Sequence, residues 1–237
     1  MASTLNTFIN SLNNRLEEPV RQHLKNVYAC LTMSTLTASL GAFVHIYTDL
    51  MAAGFLTALG AIALFILLTA TPDNGKNSQI RMLYLFGFTF LSGLGLGPLL
   101  EHVIMVDPAI IITAFLGTTI VFVSFSLCAL LAERGRWLYL GGTLMTFLSS
   151  LMIMSIANIF FRSALLFQAH LYLGLFLMCG FVLYDTQIII EKRRAGSKDF
   201  VSHSLDLFID FIGIFRRLVV ILTQKEQSNQ QRSRKSQ

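Results

Sequence analysis

Residues 165–190 read LLFQAHLYLGLFLMCGFVLYDTQIII, a run whose only side chains that ionise near or below neutral pH are His170 and Asp185. An α-helix rises about 1.5 Å per residue, so a stretch of this length crosses the roughly 30 Å hydrocarbon core of a bilayer. Barrel strands would alternate apolar and polar residues, and this stretch does not. Lipid offers no hydrogen bonds, so a spanning chain of this kind must be helical.

Five more runs of similar character precede it. The clear spans are read at approximately Val27 to Tyr47, Met51 to Ala70, Met82 to Ile104, Ile110 to Ala132, Trp137 to Ala157 and Leu165 to Ile190. A seventh apolar segment, Leu205 to Thr223, is interrupted by charge. The composition agrees: 54% of the 237 residues are hydrophobic and 13% charged, about half the charge of a typical soluble domain. Mean hydropathy is +0.64. The expected fold class is all-α, a polytopic membrane protein. Three divisions follow: a cytosolic N-terminal tail (1–26), a seven-helix membrane bundle (27–224) and a basic C-terminal tail (225–237). Short connectors make the helices antiparallel neighbours in one bundle. The first 26 residues are mixed polar, with Asn6, Asn10, Asn13, Asn14, Glu17 and Glu18, and do not read as a secretory signal. Cys30, Cys128 and Cys179 lie in apolar segments without metal-ligand spacing and read as small apolar residues.

Connector charge sets the orientation. Arg15, Arg21 and Lys25, then Lys76 and Arg81, then Arg134 and Arg136, then Lys192, Arg193, Arg194 and Lys198 fall on one side. The alternate connectors hold Asp49, Glu101 and Asp107, with Arg162 as their single basic residue. Eleven basic residues against one put the N-terminus in the cytosol by the positive-inside rule. The seventh segment either spans, placing Lys225, Arg232, Arg234 and Lys235 on the far side, or re-enters and returns them. Arg216 and Arg217 are costly against lipid and tolerable inside a bundle, which favours a buried seventh helix.

Ionisable residues within spans face a bundle interior or a watery path by default. Asp185 lies about 9 Å inside the cytosolic end of its span. The chain then turns and re-enters near Phe200, so Asp206 and Asp210 lie about 9 to 15 Å deep. Asp185 is thus roughly level with both, and the later two share a helix face that Gly213 and Arg217 continue. Two carboxylates at one depth in a low-dielectric bundle do not both ionise cheaply, so one proton is expected to be shared. Asp185 and Asp210 are the expected proton sensor and ion pathway, with Asp206, Glu101 and Arg217 as secondary candidates. Fully ionised, the pair would hold Ca²⁺ transiently, since hard cations prefer oxygen ligands. Protonation would remove that cation site and would also relax the latch, two effects of opposite sign. The bland alternative has the aspartates pairing with Arg216, Arg217 or backbone and only holding helices together. His170 reads as a hydrogen-bonded packing residue, and His45 and His102 as interfacial ones. Gly93 and Gly97 have the spacing that lets helices approach closely, and Pro98 marks a kink; the run is no phosphate loop.

These residues carry a resemblance. Leu91-Ser92-Gly93-Leu94-Gly95-Leu96-Gly97-Pro98, Thr113-Ala114-Phe115-Leu116-Gly117-Thr118, Gly180 to Gln187 and Leu205-Asp206-Leu207-Phe208-Ile209-Asp210-Phe211 resemble the Bax inhibitor-1 family in order and spacing, from about Arg21 to Leu222. The resemblance implies six spans around a seventh central helix. It implies an endoplasmic-reticulum protein that permits a pH-sensitive Ca²⁺ leak and suppresses cell death. The family's paired aspartates fall on Asp185 and Asp210, and Bcl-2-type proteins and the inositol trisphosphate receptor are the implied partners. The C-terminal tail is less densely basic than the family pattern. No cofactor, enzymatic activity or nucleic-acid partner is expected. An aspartyl protease would need a Gly-x-Gly-Asp run, whereas Asp210 follows Leu207-Phe208-Ile209. A scaffold that binds death regulators and conducts nothing is the rival reading.

Overall fold

The computed structural model describes residues 16–48 and 51–235. Arg15 and Asp49, two of the connector charges, lie outside that range. The described residues form seven helices and no strand: α1 (Glu18–Tyr47), α2 (Phe55–Ala70), α3 (Ser78–Val106), α4 (Ala109–Leu131), α5 (Leu140–Phe161), α6 (Ala164–Arg194) and α7 (Phe200–Lys235). Five of them, α1, α3, α4, α5 and α6, are long and apolar enough to cross a membrane. The sixth expected span is shorter than its sequence suggests. α2 starts at Phe55 rather than Met51 and has 16 residues, a rise of about 24 Å. Large apolar side chains lie exposed around the outside, including Leu40, Leu116, Ile153, Phe160 and Phe176. Such a belt on an isolated soluble domain would drive association; in a bilayer it is the lipid face.

α7 is one unbroken helix of 36 residues, with no re-entrant bend. Its start lies beside the start of α3, where Asp199 meets Arg81. Its far part reaches the end of α3, where Gln227 Nε2 lies 3.2 Å from His102 Nε2. It therefore traverses the bundle and continues through the segment read as a tail. The Gln, Lys, Glu and Arg residues there are good helix formers, so nothing stops propagation at 224. The expected N-terminal tail is likewise helical from Glu18.

The enclosure of α7 is narrower than a ring of six. It packs mainly on α6, α1, α4 and α3, while α2 packs on α3 and α5 on α6. The main core joins α1, α4, α6 and α7 through Leu31, Phe122, Val182, Phe208 and Ile214. A second cluster near the α3–α4 connector gathers Leu100, Val103, Ile110 and Val219. α1 and α3 meet backbone to backbone, because a Cβ on Gly93 would strike the Ala38 carbonyl and one on Gly41 the Phe90 carbonyl. The close approach expected of Gly93 is present, and Pro98 is carried inside α3.

Candidate functional site

The hairpin between α6 and α7 sets the register of the acidic residues. α6 is capped at its start by Ser163, whose hydroxyl accepts from the Leu166 amide at 3.4 Å. It ends at Ala195–Gly196, where the Gly196 amide donates to the Arg193 carbonyl and the Ser197 amide to the Lys192 carbonyl. Gly196 has φ +102°, which only glycine adopts without strain. Asp199 then caps α7: its Oδ1 accepts from the Ser202 amide at 3.0 Å, the usual task of an N-cap aspartate. Asp185 stands ten residues before Ala195 and Asp210 ten after Phe200. Equal helical rise on both arms, about 15 Å, brings the two side chains level.

They meet. The Asp185 and Asp210 carboxyl groups lie within hydrogen-bond reach of each other across the α6–α7 contact. Asp210 is 4% exposed, and its Oδ2 is buried without a hydrogen-bond partner. Asp185 is half-buried. Asp206, one turn back along α7, is near enough to act electrostatically on both. Two carboxyl groups so close in a bundle core are stable together when one carries a proton that the other accepts. Among the described residues no group of three or more His, Cys, Asp or Glu side chains converges as a metal cage. Ca²⁺ takes six to eight oxygens, more than these two carboxyl groups supply.

The secondary candidates lie elsewhere. Arg217 does not pair with the aspartates; its Nη1 donates to the Gly213 carbonyl at 3.0 Å. Its guanidinium lies over Gly174 and near His170, which also faces the Leu151 backbone. Glu101 sits at the other end of the bundle, its Oε1 3.4 Å from His45 Nε2. His45 Nδ1 in turn accepts from the Ala53 amide at 2.8 Å.

Three polar sites around the acidic pair carry no sequence signal strong enough to find them. Arg81 belongs to α3 rather than to a connector. It is 3% exposed, with Nη2 donating to Asp199 Oδ2 at 2.6 Å and Ser202 Oγ at 2.7 Å, and Asp73 3.6 Å from Nη1. Burial alone would raise the Asp199 carboxyl, but the hydrogen bonds from Arg81 and Ser202 outweigh it and hold it below the usual carboxylate range. His23 and His203, 180 residues apart, are both buried with Nε2 and Nδ1 2.9 Å apart. Gln187, two residues past Asp185, clasps the α4–α5 turn. Its Oε1 accepts from the Trp137 amide at 2.7 Å, and its Nε2 donates to the Ala129 and Glu133 carbonyls at 3.3 and 3.1 Å.

The chain is similar to known proteins over most of its length. Residues 20–227 match the family described as inhibitor of apoptosis-promoting Bax1. The chain is 51% identical over 209 residues to a probable Bax inhibitor 1 of Paralichthys olivaceus, covering 88% of each chain. It is 51% identical over 206 residues to Bax inhibitor 1 of Homo sapiens, covering 87% of each. With Bax inhibitor 1 of Drosophila melanogaster the identity is 43% over 230 residues, 97% of this chain and 94% of the relative.

Proposed function

The chain belongs to the family of inhibitors of apoptosis-promoting Bax1, and from that premise we propose that it restrains cell death by passing Ca²⁺ out of the endoplasmic reticulum under proton control. All seven helices cross the membrane in this reading. The N-terminus is cytosolic, and α7 delivers its basic end to the lumenal side.

The observation that carries the reading is the contact between the Asp185 and Asp210 carboxyl groups. A shared proton ties buried α7 to α6. Loss of that proton leaves two adjacent negative charges in a poorly solvated core, which repel each other unless a cation or water enters. The pair thus acts as a latch, and Asp206 adds negative charge on the basic side of it. Bcl-2-type proteins and the inositol trisphosphate receptor remain the proposed protein partners, by family likeness alone. The test is Ca²⁺ flux from liposomes holding the purified protein, across a pH series, with Asp185→Asn and Asp210→Asn alongside. Flux whose pH dependence is lost or displaced in either variant supports the latch. Flux indifferent to pH and to both substitutions removes it.

The rival reading is a scaffold that binds death regulators and conducts nothing. The absence of any flux from folded protein would favour it.

A further inference from the structure

The described chain opens at Leu16, just before α1. Leu16 packs against the main core and lines a cavity of about 380 Å³ at the end of the bundle where α1 and α7 begin. The cavity lies between the ends of α4 and α6 and the α4–α5 turn, with Leu130, Glu133, Gln187 and Ile190 among its walls. Two contacts fix the start of α1 beside it. Arg194 Nε lies 3.4 Å from Glu17 Oε1, and Arg193 Nε donates to the Pro19 carbonyl at 3.3 Å. Most polar side chains that border the cavity are already engaged. The Gln187 amide is held on both sides by the α4–α5 turn. Arg134 and Arg194 are paired with Glu191 at 3.0 and 2.7 Å, so an anion would have to displace these bonds. What remains on offer is apolar: Leu16 and Leu130, with buried Ala129 and Ile190.

Residues 5–16 read LNTFINSLNNRL. Leu5, Phe8, Ile9, Leu12 and Leu16 fall at i, i+3, i+4, i+7 and i+11, one face of a helix, and every residue between them is polar. So short a stripe is held mainly by packing its apolar face on a partner. The bilayer surface suits it poorly, because helices that lie there carry Lys and Arg along the polar face, and this stretch has only Arg15. We propose that the cavity receives Leu12 and the Phe8–Ile9 step, so that the N-terminal segment closes over the α4–α6 seam. The stripe already enters the core at Leu16. Leu12 stands about one helical turn before it, about 6 Å along the axis, and four residues in any conformation span at most about 14 Å. A tether this short gives the segment an effective concentration on the order of millimolar, ahead of a free partner. Docked there, it braces the turn that Gln187 clasps, two residues past Asp185. The contact does not depend on Ca²⁺ passage.

The test uses the full chain in nanodiscs with Cys128→Ser, which removes the exposed native thiol. Leu12→Cys is combined with Ala132→Cys at the cavity or, as a control, with Lys76→Cys in the α2–α3 connector. Disulfide formation under mild oxidation is read by mass spectrometry. The cavity pair should form at least several-fold faster than the control. Phe8→Asp with Ile9→Asp should slow it several-fold, whereas Asn10→Asp with Asn14→Asp, the same charge on the polar face, should leave it unchanged. Glu133→Cys replaces Ala132→Cys if that variant folds poorly. Equal rates for the cavity and control pairs would overturn the proposal, as would a rate indifferent to Phe8→Asp with Ile9→Asp. So would a fluorophore on Phe8→Cys that lipid-borne quenchers reach, which would place the segment on the bilayer.

Discussion

The two ends of the bundle are built differently. At the basic end, where α1, α3 and α7 begin, polar side chains from distant segments interlock inside the protein. Arg81 joins Asp199, Gln187 clasps the α4–α5 turn, and His23 meets His203. At the other end the contacts are mainly apolar, through Leu100, Val103, Ile110 and Val219. The contact between His45 and Glu101 is long, and the Glu101 side chain is 48% exposed. The acidic pair lies between these regimes, about 15 Å inside the tightly fixed hairpin. A latch needs one rigid side to work against. In the proposed latch the basic end would supply it, while farther along α7 Arg217 bonds its own backbone.

The largest effect should come from breaking the rigid end. Arg81→Met leaves Asp199 half-buried without its cation, and removing one partner of a buried pair typically costs about 3 to 5 kcal/mol. Thermal unfolding in detergent should show the largest loss of stability of any variant considered, and an unchanged midpoint would contradict the rigid-end account. Next comes the seam between the two ends. Gly93→Leu would drive a side chain into the Ala38 backbone, an overpacking cost of about 1 to 3 kcal/mol, and should reduce the yield of monodisperse protein.

The third prediction concerns pH. The Asp199 carboxyl is held below its usual range, so its pairing stabilises the fold at pH values above the unfolded pKa of about 3.9. That contribution is lost as pH falls through the lower folded value. The gap in unfolding temperature between the parent and Asp199→Asn should hold steady from pH 7 to about 5 and close below about 4. A gap that widens on acidification would reverse the assignment. The smallest effect belongs to the far end. Glu101→Gln removes a half-exposed partner, and such pairs contribute about 0 to 1 kcal/mol. A stability loss comparable to that of Arg81→Met would abolish the contrast between the ends.

Helix positions and the level of Asp185 with Asp210 were legible because helical rise is constant and the connecting hairpin is short. The same arithmetic needs no knowledge of distant partners. Arg81 was misplaced for the opposite reason. Its position beside a span end reads as connector charge, and its partners are Asp73 of that same connector and Asp199 of the distant α6–α7 connector. The His23–His203 contact joins residues 180 apart, and no local pattern announces it. α2 was overextended because Met51 to Gly54 are apolar or small and resemble the helix they precede. α7 runs past the expected boundary at 224 because hydropathy falls at Lys225, whereas helix propensity does not.

The central claim is that Asp185 and Asp210 act as one titrating unit. The most direct measurement is the pH profile of Ca²⁺ flux in Asp185→Asn, Asp210→Asn and the double variant, treated as a mutant cycle. Residues that share one proton are strongly non-additive. Each single variant should displace the profile, and the double variant should add little further change. Two independent displacements that sum in the double variant, or no displacement in any, would contradict it.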